Sequence, residues 1–226
     1  MGKRHDLLDI TEKGRWWASE HLALMGRVDE DLYQAVNLIT EGHNGVKIPG
    51  IVRREEYECI QCTIPVGFSS PYLVDGKRIR VAAFVPPEEV VRTNSPYQVL
   101  GADFSSRTPC LKALAEMKRT AADMGIKLGV WGSAGLEIYT GLPYTHAVSD
   151  LDLLIGVVEL HYILTFAENA LAAGQRYCCR VDMELDLPSG YGVNILELLK
   201  GKDLILGKGI NGVELIHRSG VLDMCH

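Results

Sequence analysis

Two short stretches carry residue types suited to phosphoryl chemistry. In Trp131-Gly132-Ser133-Ala134-Gly135, an apolar run at residues 126–130 leads into a glycine-serine pair that opens a predicted helix. The first backbone N–H groups of a helix have no partner within it, so a turn of this kind can cradle a phosphate. In Ser149-Asp150-Leu151-Asp152-Leu153-Leu154-Ile155, the two carboxylates are two residues apart. On a strand they share one face, while Leu151, Leu153 and Ile155 anchor the other. Like charges so placed repel unless a cation stands between them. A third acid is expected on a neighbouring strand, and Arg180-Val181-Asp182-Met183-Glu184-Leu185-Asp186 presents alternating acids, of which Asp182 and Glu184 are both eligible. A carboxylate set with no histidine or cysteine suits Mg²⁺, or Mn²⁺, rather than zinc. Phosphate cradle and paired carboxylates together are the parts of metal-assisted phosphoryl or nucleotidyl transfer.

Other reactive residues make weaker cases. Ser133 as a nucleophile would require a Gly-x-Ser-x-Gly elbow, and only the downstream glycine fits that pattern. His146 reads as a loop histidine, and His5-Asp6 as a polar terminus beside Leu7-Leu8. Cys59-x-x-Cys62 lacks the second pair that a zinc site requires and reads as part of a strand.

The elements that must position these residues follow from periodicity and turn chemistry. Residues 5–40 read as helical, with Trp16, Trp17, Leu22, Leu24, Val36, Leu38 and Ile39 as apolar anchors. Residues 48–91 read as strands at 50–52, 59–66 and 78–85, with Asp75-Gly76 as a turn. Small, polar and turn residues at 101–108 form the expected linker. Thr108 then serves as an N-cap, Pro109 opens a helix, and Gly125 ends it. Beyond it come a strand at 126–131, a helix at 132–140, a strand at 150–157, a helix at 159–173, a strand at 176–187 and a further strand from about residue 192. The expected fold class is α+β, with a β-rich domain at residues 1–105 and an α/β domain with a small mixed sheet at 106–226.

Composition narrows the function classes. The 226 residues are 47% hydrophobic, enough to bury a core, and no run approaches the roughly 18–20 apolar residues of a membrane span. Six cysteines without framework spacing read as reduced thiols, consistent with a cytoplasmic protein. A net charge of −6 argues against nucleic acid as a general partner, so an anionic substrate must meet locally placed cations. Arg53, Arg54, Arg78 and Arg80 are candidates for that role.

The Gly-Ser pair, the Asp-x-Asp strand and a later acid resemble the nucleotidyltransferase superfamily of the DNA polymerase β kind. The fuller string, Trp131-Gly132-Ser133-Ala134-Gly135-Leu136-Glu137 with Thr140-Gly141-Leu142-Pro143-Tyr144 and Ser149-Asp150-Leu151-Asp152, is similar to the phosphoribosyl-dephospho-CoA transferase family of bacterial malonate decarboxylase. His5-Asp6-Leu7-Leu8, Ile48-Pro49-Gly50-Ile51-Val52-Arg53-Arg54 and Arg78-Ile79-Arg80 agree with it too. The resemblance implies transfer of the prosthetic group from 2′-(5″-triphosphoribosyl)-3′-dephospho-CoA to a serine of the decarboxylase's acyl-carrier protein, with release of pyrophosphate. It implies that Asp150 and Asp152 hold Mg²⁺, with Glu184 preferred over Asp182 as third acid. Gly132 and Ser133 would bind the triphosphate, and Arg53, Arg54 and Arg80 would serve donor or carrier. The alternatives are transfer of a nucleoside monophosphate to another protein or small molecule, and a non-catalytic carrier-binding module.

Overall fold

The computed structural model describes residues 2–22, 32–54, 62–74 and 76–225. The chain divides into two units, Met1–Ser95 with Leu142–Tyr144, and Pro96–Gly141 with Thr145–His226. Residues 101–108, expected as the linker, lie inside the second unit. Among the described residues no helix is long and apolar enough to cross a membrane.

The first unit is built on a five-stranded antiparallel sheet. Its elements are β1 (Leu7–Ile10), α1 (Glu12–Leu22), α2 (Leu32–Thr40), β2 (Gly50–Val52), β3 (Ile64–Val74), β4 (Lys77–Val85), a 3-10 turn (Pro87–Glu89) and β5 (Val90–Asn94), with strand order β4-β3-β2-β1-β5. The expected helical start at residues 5–40 is corrected by β1, which lies between β2 and β5. A four-residue segment has too little length to reveal its period, and pairing on both sides decides it. The expected strand at residues 59–66 appears among the described residues only from Ile64, and runs on to Val74. Trp16, expected as an anchor, is exposed; α1 buries Arg15, Ala18 and Leu22 instead. Leu24, Cys59 and Asp75 lie outside the described residues.

Arg15 ties this unit together. It is 3% exposed, and its guanidinium donates to the carbonyls of Ile10 (3.2 Å), Ile39 (2.8 Å) and Ile48 (2.9 Å). One side chain thereby satisfies the ends of β1 and α2 and the approach to β2. Arg78, one of the candidate cations, plays a similar structural part. It donates to Ser70 O (3.1 Å) and Tyr144 O (2.8 Å), and its guanidinium lies 5.3 Å from the Tyr144 ring centroid. Tyr144 is fully buried, and its hydroxyl donates to Ser69 O at 2.7 Å.

The second unit carries α3 (Pro96–Val99), α4 (Pro109–Asp123), β6 (Leu128–Trp131), α5 (Gly132–Thr140), β7 (Leu151–Gly156), α6 (Leu160–Tyr177), β8 (Val181–Asp186), β9 (Gly192–Asn194), α7 (Ile195–Leu199), β10 (Leu204–Lys208), β11 (Val213–His217) and α8 (Arg218–Asp223). Its sheet runs β11-β10-β9-β8-β7-β6, and β7 with β8 form its parallel pair, joined through α6. Helices α4 and α6 pack on each other and on these two strands. Leu151, Leu153 and Ile155 of β7, and Val181, Met183 and Leu185 of β8, supply buried side chains on one face. The alternation turns Asp152 and Asp182 to the other face. Several boundaries differ from expectation: β6 begins at Leu128 and β8, expected from residue 176, begins only at Val181. Asp150 precedes β7, and α6 continues to Tyr177, where Cys178 caps it with φ 54°. Thr108 occupies the N-cap of α4 without a capping side-chain bond; its hydroxyl pairs with that of Thr145 at 2.9 Å. The mixed helix and sheet content establishes the α+β class.

Replacing Arg15 with methionine keeps the aliphatic bulk but strands three carbonyls, and buried unsatisfied groups cost about 1–3 kcal/mol each. Calorimetry of Arg15→Met should show the first unit melting at least about 8 °C lower, the shift given by about 2 kcal/mol in a domain of this size.

Candidate active site

The Gly-Ser turn and the Asp-x-Asp stretch meet at the β6–β7 pair. Trp131, the last residue of β6, stands opposite Asp152 in register. Gly132 follows with φ +66°, a conformation that glycine adopts without a steric penalty, and opens α5. A Cβ at this position would fall 2.1 Å from Asp152 Oδ2. No other residue fits there without moving the carboxylate. The unpartnered N–H groups of α5, with the half-buried Ser133 in its first turn, therefore begin directly beside Asp152.

A buried carboxylate on α5 anchors the loop that leads to Asp150. Glu137 accepts from Arg107 Nε at 2.6 Å and Nη2 at 2.7 Å, and from the Thr145 backbone N–H and hydroxyl at 2.6 and 2.7 Å. Arg107 Nη2 also reaches Thr145 O at 2.8 Å. Gly141, with φ +72°, ends α5, and the chain returns through a turn in which Ser149 Oγ accepts from His146 N at 3.0 Å. His146 is exposed in that turn. Sequence reasoning did not find the Arg107–Glu137 pair. Nothing local marks it, because the partners are far apart in the chain.

On the sheet face, the parallel β7–β8 register sets Asp152 beside Asp182 and Leu154 beside Glu184. Arg180 Nη2 lies 2.6 Å from Asp150 Oδ2 and 2.9 Å from Asp182 Oδ2. Burial, with the carboxylates of Asp182 and Asp150 adding to it, pushes the Asp152 carboxyl up to about 7. Glu184 is 3% exposed, and its Oε1 is 3.1 Å from Lys208 Nζ. Asp182 is thus the acid aligned with Asp152, while Glu184 is engaged deeper in the sheet by a lysine from β10. Asp186, next along the same face, accepts from the Tyr97 hydroxyl at 3.0 Å. Cys179, just before Arg180, is buried, and burial pushes its thiol up to about 12, so it stays protonated. Among the described residues no three His, Cys, Asp or Glu side chains are gathered as a ready metal cage.

The remaining sequence candidates belong to the first unit. Arg53 and Arg54 directly follow β2, where Arg53 N donates to Pro65 O at 3.1 Å, and Arg80 is exposed on β4 opposite Ser69. Cys62 is exposed, whereas Cys59 lies outside the described residues.

A Gly-Ser helix turn set against Asp152 and its acidic neighbours on a mixed sheet defines an α+β protein with a helix N-terminus beside an acidic cluster. Residues 3–96 match the model of the phosphoribosyl-dephospho-CoA transferase MdcG N-terminal domain, and residues 100–219 match that of its C-terminal domain. The chain belongs to the MdcG phosphoribosyl-dephospho-CoA transferase family. It is 31% identical over 111 residues to the phosphoribosyl-dephospho-CoA transferase of Pseudomonas fluorescens, covering 49% of this chain and 53% of that protein. Against the Klebsiella pneumoniae protein of the same name the identity is 32% over 149 residues, covering 63% and 68%. Against that of Pseudomonas syringae pv. tomato it is 30% over 172 residues, covering 74% and 77%. The chain spans about half the length of several of these relatives, 53%, 47% and 51% of those from P. fluorescens, Pseudomonas aeruginosa and Xanthomonas campestris. No solved structure matches it significantly.

The raised Asp152 carboxyl makes stability depend on pH. An unfolded aspartate titrates near 3.9, so between about pH 4 and 7 the native state binds more protons, and stability falls as pH rises. Asp152→Asn removes this penalty. In metal-free buffer at pH 8 its melting temperature should exceed that of the parent protein by about 2–4 °C or more, the shift given by about 1 kcal/mol at this size. At pH 4 the two should agree.

Proposed function

We propose that the chain moves the phosphoribosyl-dephospho-CoA group from 2′-(5″-triphosphoribosyl)-3′-dephospho-CoA to a serine of the malonate decarboxylase acyl-carrier protein, by nucleotidyltransferase chemistry of the DNA polymerase β kind. The observation that carries this reading is the contact of Gly132 with the Asp152 carboxylate, which sets a phosphate-binding helix start beside crowded acids. Family membership supports the donor and the reaction.

In this reading the carrier serine oxygen bonds to the donor's α-phosphorus. The α–β phosphoanhydride bond breaks, and pyrophosphate leaves with the electron pair while the serine proton is released. Gly132 and Ser133 hold the triphosphate through backbone N–H groups and the hydroxyl. Ser133 is thus a binding group rather than a nucleophile. Asp150, Asp152 and Asp182 would hold Mg²⁺, or Mn²⁺. Their hard oxygens suit such an ion, and the upward shift of Asp152, caused first by burial and then by the charges of Asp182 and Asp150, would be relieved by a cation. When bound, the ion neutralises charge that builds on the transferring phosphate. Glu184, neutralised by Lys208, supports the strand instead of completing the ligand set.

The first unit would recognise dephospho-CoA or the carrier. It contains a cavity of about 690 Å³, bordered by Asp6, Thr63, Ile64 and Thr93, a volume suited to a small-molecule moiety. Arg53, Arg54 and Arg80 supply cations for an acidic carrier, and a cytoplasmic setting goes with the free thiols among the described residues.

Incubation with carrier protein and the triphosphoribosyl donor, or with ATP, followed by mass measurement of the carrier, tests the reading. The mass should rise by the phosphoribosyl-dephospho-CoA group with the first donor and stay unchanged with ATP. A nucleotide-sized gain from ATP alone would overturn the assignment. Asp150→Asn and Asp152→Asn should each lower transfer at least about 100-fold while the protein stays folded, a loss of the order expected when one transition-state contact is removed. Full activity in both would exclude this carboxylate site.

A further inference from the structure

Arg180 occupies the place that a cation between the carboxylates would take. Its Nη2 reaches Asp150 Oδ2 at 2.6 Å and Asp182 Oδ2 at 2.9 Å, so one nitrogen serves both acids. The backbone beneath it is fixed, because Leu151 N donates to Arg180 O at 2.8 Å. The side chain is held far less firmly: it is 67% exposed, and exposed ion pairs are weak and screened by salt. A divalent ion ligated by the same two oxygens at about 2.0–2.1 Å leaves no room for a nitrogen hydrogen-bonded to both. Binding of one therefore requires departure of the other.

The departing group has somewhere to go. Arg180 lies two residues before Asp182, whose register partner is Asp152, which in turn touches Gly132. The freed guanidinium remains tethered beside the turn that would hold phosphates, and its planar donor fork suits phosphate oxygens. Resting on the metal-site reading above, we propose that Arg180 is an exchangeable counterion. It holds Asp150 and Asp182 in the metal-free protein, yields them to a divalent cation, and then binds the polyphosphate of the donor.

Titration of the donor-free full chain with Mn²⁺ at low ionic strength, following free Mn²⁺ by electron paramagnetic resonance, tests the exchange. Arg180→Gln should bind Mn²⁺ roughly three- to tenfold more tightly than the parent, with the difference shrinking as salt is added, and Arg180→Lys should stay near the parent. With Mg²⁺ saturating, inorganic pyrophosphate should bind Arg180→Gln about tenfold more weakly, with partial recovery in Arg180→Lys. Matching melting temperatures check that the variants fold. Unchanged or weaker Mn²⁺ binding in Arg180→Gln overturns the exchange but leaves the metal site standing, since the parent still binds. No Mn²⁺ binding by the parent or the variant overturns both. Tighter Mn²⁺ binding with unchanged pyrophosphate affinity overturns the phosphate role.

Discussion

The approach of Gly132 to the Asp152 carboxylate constrains everything around it. The β6–β7 register sets Trp131 opposite Asp152, and a left-handed glycine then turns the chain into α5 beside the acid. The helix start and the carboxylate cannot be separated by a side chain, since a Cβ would fall on Asp152 Oδ2. The Arg107–Glu137–Thr145 network secures the same arrangement from the other side by fastening the returning loop to α5. Helix, loop and strand end are thus held together by a close backbone approach and a buried hydrogen-bond network.

Charge on this sheet face is compensated unevenly along the strands. Asp186 has a tyrosine hydroxyl, the buried Glu184 has the partly exposed Lys208, and Asp150 with Asp182 share one exposed guanidinium. Asp152 is pushed toward neutrality by burial, with the charges of Asp182 and Asp150 adding to it. The deep acids are settled by fixed partners while those near Gly132 are left unstable. This uneven compensation distinguishes Asp182, aligned with Asp152, from Glu184, which is paired with Lys208.

Much of the second unit was legible locally. Pro109 and Gly125 bracket α4, the Leu151-Leu153-Ile155 alternation marks β7, and the Gly-Ser turn falls at the strand-to-helix junction as its composition requires. The first unit was less so. β1 is too short to show a period, and the carbonyls that secure Arg15 come from separate segments. Arg78 looked like a surface cation in sequence, yet it supports Tyr144, which lies far along the chain but within the same unit.

The sequence by itself determined which residues could do chemistry: a glycine-serine pair able to open a helix, and acids whose two-residue spacing shares a strand face. These follow from local geometry, helix ends and strand alternation, which operate over a few residues. Only the tertiary structure decided that Gly132 touches Asp152, that Asp182 rather than Glu184 stands beside it, and that Arg180 fills the space between two aspartates. Strand register and counterion choice depend on segments distant in the chain, where pairing, burial and Coulomb forces act together and no local pattern records the result.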